Sequence, residues 1–165
     1  MVTRLIVVWL LAFGLFLGPV LAGVHPASSV QLADVSAAID LASDGDTVTI
    51  PAGTSTDWTT ELEITKAIHL QGAGIDQTII DDEVSTSSEA AIFWNMSGGK
   101  TFTMSGITFR AVANPTNTNK GVVLYEGDGV IVMGDCEFED TLQNQSIQIQ
   151  NTSLAKGVIY NTIYR

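Results

Sequence analysis

The sequence predicts an all-β chain that winds into a β-solenoid, a stack of coils built from short strands, with one helix ahead of the coils. A motif of alternating apolar residues, a turn residue and further apolar residues occurs four times. In each copy two short strands send alternate side chains inward and meet at a residue that tolerates a left-handed backbone. The copies are Ile68/Leu70/Gly72/Ala73/Ile75, Phe102/Met104/Gly106/Ile107/Phe109, Ile131/Met133/Asp135/Cys136/Phe138 and Gly157/Ile159/Asn161/Thr162/Tyr164.

The spacing of the copies favours a solenoid. The first residues of successive copies are 34, 29 and 26 positions apart, and irregular periods of this size fit coils whose loops differ in length. A second column of alternating apolar pairs comes nine or ten residues before each of the last three copies. Two columns in phase favour the solenoid over a β-sandwich, the alternative that short strands also allow. The pairs of the second column are Ile92/Trp94, Val122/Leu124 and Ile147/Ile149.

A segment with helical periodicity precedes the coils. Leu32, Val35, Ile39 and Ala42 follow one another at steps of three and four, which predicts an amphipathic helix of about three turns. Asp34 suits the positive end of such a helix. A first coil exposes apolar core and an unpaired strand edge, so we expect the helix to cap it.

The N-terminus has the features of an export signal. Residues 1–22 contain one charge, Arg4, then an apolar run that ends in small residues at a signal-peptidase position. The predicted organisation is a signal peptide at 1–22, an N-terminal segment with the capping helix at 23–46, and coils at 47–165. An uncleaved membrane anchor is the alternative, and it would be the chain's only link to a membrane. Both predict a secreted or cell-surface protein.

Residues 44–53 (DGDTVTIPAG), 62–74 (LEITKAIHLQGAG) and 78–80 (TII) resemble the opening of proteins of the pectate-lyase-like superfamily, which has the pectin lyase fold. The resemblance covers the chain from about residue 33 onward. It implies a right-handed parallel β-helix, of which this chain would be the N-terminal portion. It leaves the activity open, because this fold carries lyases, hydrolases, tailspikes and adhesins.

The net charge of the chain limits the classes of molecule that it is expected to bind. The net charge is −11, or −12 once Arg4 leaves with the signal peptide, and no Lys/Arg cluster is present. Nucleic-acid binding needs a concentrated basic face, so we predict no nucleic-acid partner. The resemblance implies an extracellular polysaccharide. A polyuronate is itself anionic and would need a bridging cation, for which Ca²⁺ is the candidate.

Outward-facing carboxylates are the candidate ligands for that cation. Glu137 and Glu139 flank an inward residue and are expected on one outer face, about 7 Å apart, with Asp140 at the strand's end. These three are the predicted metal ligands. A second acidic group, Asp81 and Asp82, follows a predicted strand. The alternative is a solvated acidic surface that binds nothing.

Arg110 offers both a structural and a chemical interpretation. It is predicted to lie one coil below Glu139 and Arg165 one coil above, so the three side chains form a ladder of ion pairs. Arg110 is also the basic side chain best placed to abstract a proton in a lyase.

Two further side chains are considered for a site. Trp58 lies in a polar stretch and either stacks on a sugar ring or packs over the open end of the solenoid. Cys136 is the only cysteine, and we expect it to be buried as a small hydrophobic residue. The characteristic motifs of pectate lyases and polygalacturonases are missing from the sequence.

The predicted function is binding, or presenting a surface, to extracellular polysaccharide. The ligand-binding candidates are Trp58, Asp81, Asp82, Arg110, Glu137 and Glu139. One alternative is a Ca²⁺-dependent polyuronate lyase whose main catalytic residues lie beyond residue 165. Another is a non-catalytic scaffold. Whether the chain is an enzyme, and whether it forms a homo-oligomer, the sequence leaves open.

Overall fold

The computed structural model describes residues 21–84, 90–96, 98–111, 122–139, 147–150 and 156–165. Most of the predicted signal peptide and the metal-ligand candidate Asp140 lie outside these residues. The described chain is a parallel β-solenoid of about four coils, as the sequence predicted. Its elements are β1 Val24–Pro26, α1 Leu32–Leu41, β2 Thr47–Thr49, β3 Gly53–Trp58, β4 Leu62–Ile64, β5 His69–Gln71, β6 Thr78–Asp82, β7 Ile92–Met96, β8 Thr101–Ser105, β9 Thr108–Ala111, β10 Val123–Gly127, β11 Val130–Gly134, β12 Glu137–Glu139, β13 Ile147–Gln150, β14 Lys156–Tyr160 and β15 Ile163–Tyr164.

Three parallel sheets form the walls of the solenoid. Sheet I has the strand order β1-β2-β5-β8-β11-β14, sheet II has the order β3-β6-β9-β12-β15, and sheet III has the order β4-β7-β10-β13. From β2 onward the chain visits sheets I, II and III in turn and then returns to sheet I. Each coil is therefore one strand from each sheet, and successive coils are about 4.8 Å apart.

The register confirms the first predicted column. Ile131 lies opposite both Phe102 and Gly157, and Met133 lies opposite Met104 and Ile159. The predicted spacings of 29 and 26 residues are therefore coil lengths of the structure. Phe102, Met104, Ile131 and Met133 are buried, as an inward column requires.

Two of the predicted alignments are wrong. In the first motif, Ile80 and not Ile75 lies opposite Phe109, because residues 73–77 are inserted at the corner between β5 and β6. In the second column, Val123 and Tyr125 lie opposite Ile92 and Trp94, one residue later than predicted. Residues 122–125 are all apolar and all buried, so the sequence pattern could not show which of them align with Ile92 and Trp94.

The corner residues follow the prediction in three of the four coils. Gly106, Asp135 and Asn161 have φ values of +70°, +51° and +45°. Gly72 does not have a positive φ. Glycine is required there for lack of space, because a Cβ would lie 2.1 Å from the carbonyl oxygen of Gly106. Glycine therefore lets the two coils approach at this corner.

Stacked aromatic rings fill the core between the sheets. Phe109 and Phe138 have ring centroids 5.4 Å apart, and Tyr164 continues this stack at 5.5 Å from Phe138. Trp94 stacks on Tyr125 at 4.4 Å. Tyr164 is more than half exposed, and the other four rings are buried. Each stack runs from coil to coil, so contacts between the rings join the coils to one another.

Helix α1 packs against the first coil and is held at both ends by side chains of that coil. Val35, Ala38 and Ile39 are buried, and the helix contacts β1 through β4. The Asp57 carboxylate accepts the Leu32 N–H at 3.1 Å. Lys66 Nζ donates to the carbonyl oxygens of Ile39 and Asp40 at 2.8 and 2.9 Å. Both partners suit the helix dipole and satisfy polar groups that a helix end leaves free.

Within the part of the chain that the structure describes, no helix combines the length and the apolar character that crossing a bilayer requires.

Candidate metal centre

The outer face of sheet II carries a ladder of alternating charges. Arg110 lies opposite Asp81 on one side and Glu139 on the other. The Arg110 guanidinium contacts both carboxylate oxygens of Asp81, with Nε to Oδ1 at 2.6 Å and an Nη to Oδ2 at 3.0 Å. Arg165 lies beyond Glu139, with Nη1 at 3.5 Å from its Oε1. The register places Arg110, Glu139 and Arg165 in the predicted order, and the ion pairs seen along it join Arg110 to Asp81 and Arg165 to Glu139.

Beside this ladder three carboxylates converge. An oxygen from each of Asp76, Glu137 and Glu139 can be chosen so that all three lie within 4.8 Å of one another. Glu137 and Glu139 are the sequence candidates, and their strand β12 places both on the outer face. Asp76 comes from the inserted corner, where its N–H donates to Thr108 Oγ1 at 2.9 Å and its backbone has a φ of +61°. The insertion therefore extends one coil's corner across the face of its neighbours.

Glu137 differs from the prediction in being buried. The sequence predicted it outward and exposed, but its side chain has no solvent-accessible surface. Among the described residues, neither carboxylate oxygen has a hydrogen-bond donor in good geometry. Arg165 Nε lies 2.7 Å from Oε1 and supplies a compensating charge without that alignment. Burial raises the pKa of Glu137, and Asp76 and Glu139 add to the increase while Arg165 opposes it.

This arrangement fits a hard divalent cation. Ca²⁺ binds oxygen ligands at about 2.3–2.6 Å, so oxygens that share one ion lie within about 5 Å of one another. The three carboxylates meet that limit. Two carboxylate oxygens buried without donors are costly to a fold, and a cation is the partner that both could share. Arg165 is the competing positive charge, and its side chain is more than half exposed.

Asp81 and Asp82 do not form a second ligand group. The alternation of β6 sends Asp81 outward to Arg110 and Asp82 to the opposite face, where it lies opposite Trp58. Asp82 is 8% exposed, and its Oδ1 accepts the Val84 N–H at 3.0 Å. Burial is the largest influence on its pKa, which is raised to about 6.

Trp58 occupies the packing position rather than a binding surface. Its side chain is fully buried, and its indole N–H donates to the carbonyl oxygen of Val30 at 3.1 Å. Neither face of the ring is open to a sugar. Cys136 is also buried, as predicted, and burial raises the pKa of its thiol to about 11.

No protein-family model matches the chain, and comparison with curated proteins and with solved structures found no similar one. The parallel solenoid is a feature of the structure, whereas the resemblance to pectate-lyase-like proteins stays a prediction. Asp76 is the site residue that the sequence interpretation missed. The sequence indicated it only through the extra residues 73–77 of that coil, which are recognised once Ile80 is aligned with Phe109.

Proposed function

We propose that this chain is an exported parallel β-helix module that binds an acidic extracellular polysaccharide through Ca²⁺ held by Asp76, Glu137 and Glu139. The observation that carries the proposal is the buried carboxylate of Glu137, whose two oxygens lack aligned donors and face two further carboxylates. A bound Ca²⁺ would supply positive charge to which a uronate carboxylate can bind. The chain as a whole carries a net charge of −11 and would otherwise repel such a polymer.

Charge balance favours a divalent ion over Arg165 alone. The formal charges of three carboxylates and one guanidinium sum to two negative charges at the cluster. Ca²⁺ would cancel them and would leave coordination positions for polymer oxygens, because this ion accepts six to eight oxygen ligands. Asp76 is exposed and Glu139 is partly exposed, so a polymer can reach the outer side of the cluster.

Binding is favoured over bond cleavage because Arg110 is held in an ion pair. A base must be unprotonated and free to reach a proton on the substrate. The guanidinium of Arg110 instead contacts both oxygens of Asp81. It therefore serves the ladder of ion pairs, and the lyase alternative gains no support from its position.

The finer structural features belong to the same proposal. A right-handed winding is supported by the strong preference of parallel strand connections for that hand. A capping role for α1 is supported by its buried face and by its anchors at Asp57 and Lys66. Export is supported by the composition of residues 1–22.

Retention of the exported protein on immobilised polygalacturonate and alginate tests this function. We expect retention in Ca²⁺, release by a chelator, and no retention on neutral dextran. Glu137→Gln should reduce retention at least tenfold. Glu63→Gln, an exposed position on sheet III with the same change in charge, should leave it unchanged. Retention that persists in the presence of the chelator would contradict the proposal. Release of unsaturated sugars would establish a lyase instead.

A further inference from the structure

Gly23, the residue before β1, is held through both of its backbone polar groups by the turn that leads into β2. Its N–H donates to Asp46 Oδ1 at 2.6 Å, and its carbonyl oxygen accepts the Thr47 N–H at 2.8 Å. The register of β1 and β2 places Val24 opposite Thr47, so Gly23 begins the strand pairing. No strand of the described structure starts before this residue.

Asp46 is built into the fold as an acceptor at this point. Its Oδ2 accepts the Ser43 N–H at 2.8 Å and lies 3.0 Å from His25 Nε2. The hydrogen bonds from Ser43 and Gly23, followed by that from His25, lower the pKa of Asp46. The separation from Gly23 N is shorter than the roughly 2.9–3.0 Å of an ordinary amide hydrogen bond and is close to the charge-assisted range.

The residues just before Gly23 contribute little packing. Leu21 is 88% exposed, and Ala22 is exposed as well. At Gly23 itself a Cβ would lie 3.0 Å from His25 Nε2 and 3.2 Å from Asp46 Oδ1. The two side chains therefore leave little room for a Cβ and favour glycine at this position.

We propose that cleavage of the Ala22–Gly23 bond during export turns the Gly23 nitrogen into an ammonium group that forms an ion pair with Asp46. The inference rests on the proposed export and goes beyond polysaccharide binding. A signal peptidase would hydrolyse this bond, with the hydroxyl of water going to the Ala22 carbonyl carbon. The Gly23 nitrogen keeps the bonding electrons and takes a proton. The resulting amine takes a second proton below its pKa, while Ala22 leaves as a carboxylate.

The ion pair would fasten β1 to the first coil of the mature protein. An ammonium group keeps a hydrogen for Asp46 Oδ1 and adds a charge that the precursor's amide lacks. The titratable side chains of His25 on β1 and of Asp46 lie beside Gly23, and Asp44, paired with Lys100 at 2.7 Å, lies in the same turn. A neighbouring carboxylate raises the pKa of an amine, because it favours the charged form.

The first part of the test is the intact mass of the protein exported from its full-length chain. We expect a chain that begins at Gly23. Processing at any other bond, or an unprocessed chain, would overturn the proposal, whatever the protein binds.

The second part measures the pKa of the Gly23 α-amino group from the pH dependence of its acetylation in the folded protein. We expect a value above about 8.5, against an ordinary value of about 7.7–8.0. Asp46→Asn should restore the ordinary value, whereas Asp40→Asn, an exposed position with the same charge change, should not.

A second variant keeps the test informative if Asp46→Asn does not fold. One alanine added before Gly23 of the processed chain moves the ammonium about 3.8 Å along the backbone and leaves Asp46 intact. Its α-amino group should have the ordinary pKa. Equal values in the wild type and in this variant would overturn the proposed ion pair.

Discussion

Replacing Asp82 with Asn should stabilise the protein at neutral pH, because the carboxylate is buried and its ionised form is costly to the fold. Its pKa is raised from 3.8 to about 6. The Asp82 carboxyl group therefore binds its proton more tightly in the folded state than in the unfolded state. The stability that the group contributes is fully present below about pH 4, and it is lost as the pH rises through about 6.

The size of the effect follows from these two pKa values. The whole loss is about 3 kcal/mol, of which about 2 kcal/mol falls between pH 4.5 and 7.5. Asn has nearly the same shape and keeps an oxygen that can accept the Val84 N–H. We therefore expect Asp82→Asn to gain up to about 3 kcal/mol over the wild type at pH 7.5 and much less at pH 4.5.

Urea unfolding followed by circular dichroism across this pH range is the assay. Asp40→Asn is the matched control, since it removes one negative charge from an exposed position of the same acidic chain. A gain that grows with pH in Asp82→Asn alone supports a buried, costly carboxylate. If both variants change the stability equally at every pH, the gain comes from net charge and the account of Asp82 is refuted.

Three further substitutions test other parts of the structure. Phe138→Ala opens the middle of an aromatic stack and should cost about 3–5 kcal/mol of unfolding free energy, read from urea unfolding; a cost below about 1 kcal/mol would contradict its core position. Trp58→Phe removes the hydrogen bond to Val30 and should cost about 1 kcal/mol while leaving retention on polysaccharide unchanged; a loss of retention would instead place this residue in the binding surface. Lys66→Met removes the donor at the C-terminal end of α1 and should cost about 1 kcal/mol with a local rise in amide hydrogen exchange; unchanged exchange in the helix would contradict its anchoring role.

The parts of the fold that were predictable are those where burial alternates cleanly. Phe102 and Met104 are inward residues separated by partly exposed ones, so their period of two was readable and their coil spacing was correct. The prediction failed where apolar and polar residues did not alternate with inward and outward positions. Ile75 has the spacing of an inward residue of the motif but belongs to an insertion. Leu124 lies in a run of residues that are all buried.

The candidate site shows why a pattern along one strand does not define an environment. Alternation correctly placed Glu137 on the outer face of β12, because it is adjacent to the inward Phe138. It could not show that Asp76, from another coil, and Arg165 would lie against that carboxylate. Burial of an outward side chain depends on contacts between coils, and these depend on corner lengths that the motif does not encode.

Calorimetric titration of Ca²⁺ into the exported protein tests the central claim most directly. We predict saturable binding of one ion per chain, with a dissociation constant of roughly 0.1–1 mM. Binding should weaken at least tenfold in Glu137→Gln and stay unchanged in Glu63→Gln. Glu137→Gln should remain folded, because burial raises the pKa of Glu137 and a neutral side chain removes that cost. Absence of binding in the wild type, or equal binding in Glu137→Gln, would contradict a metal centre at this cluster.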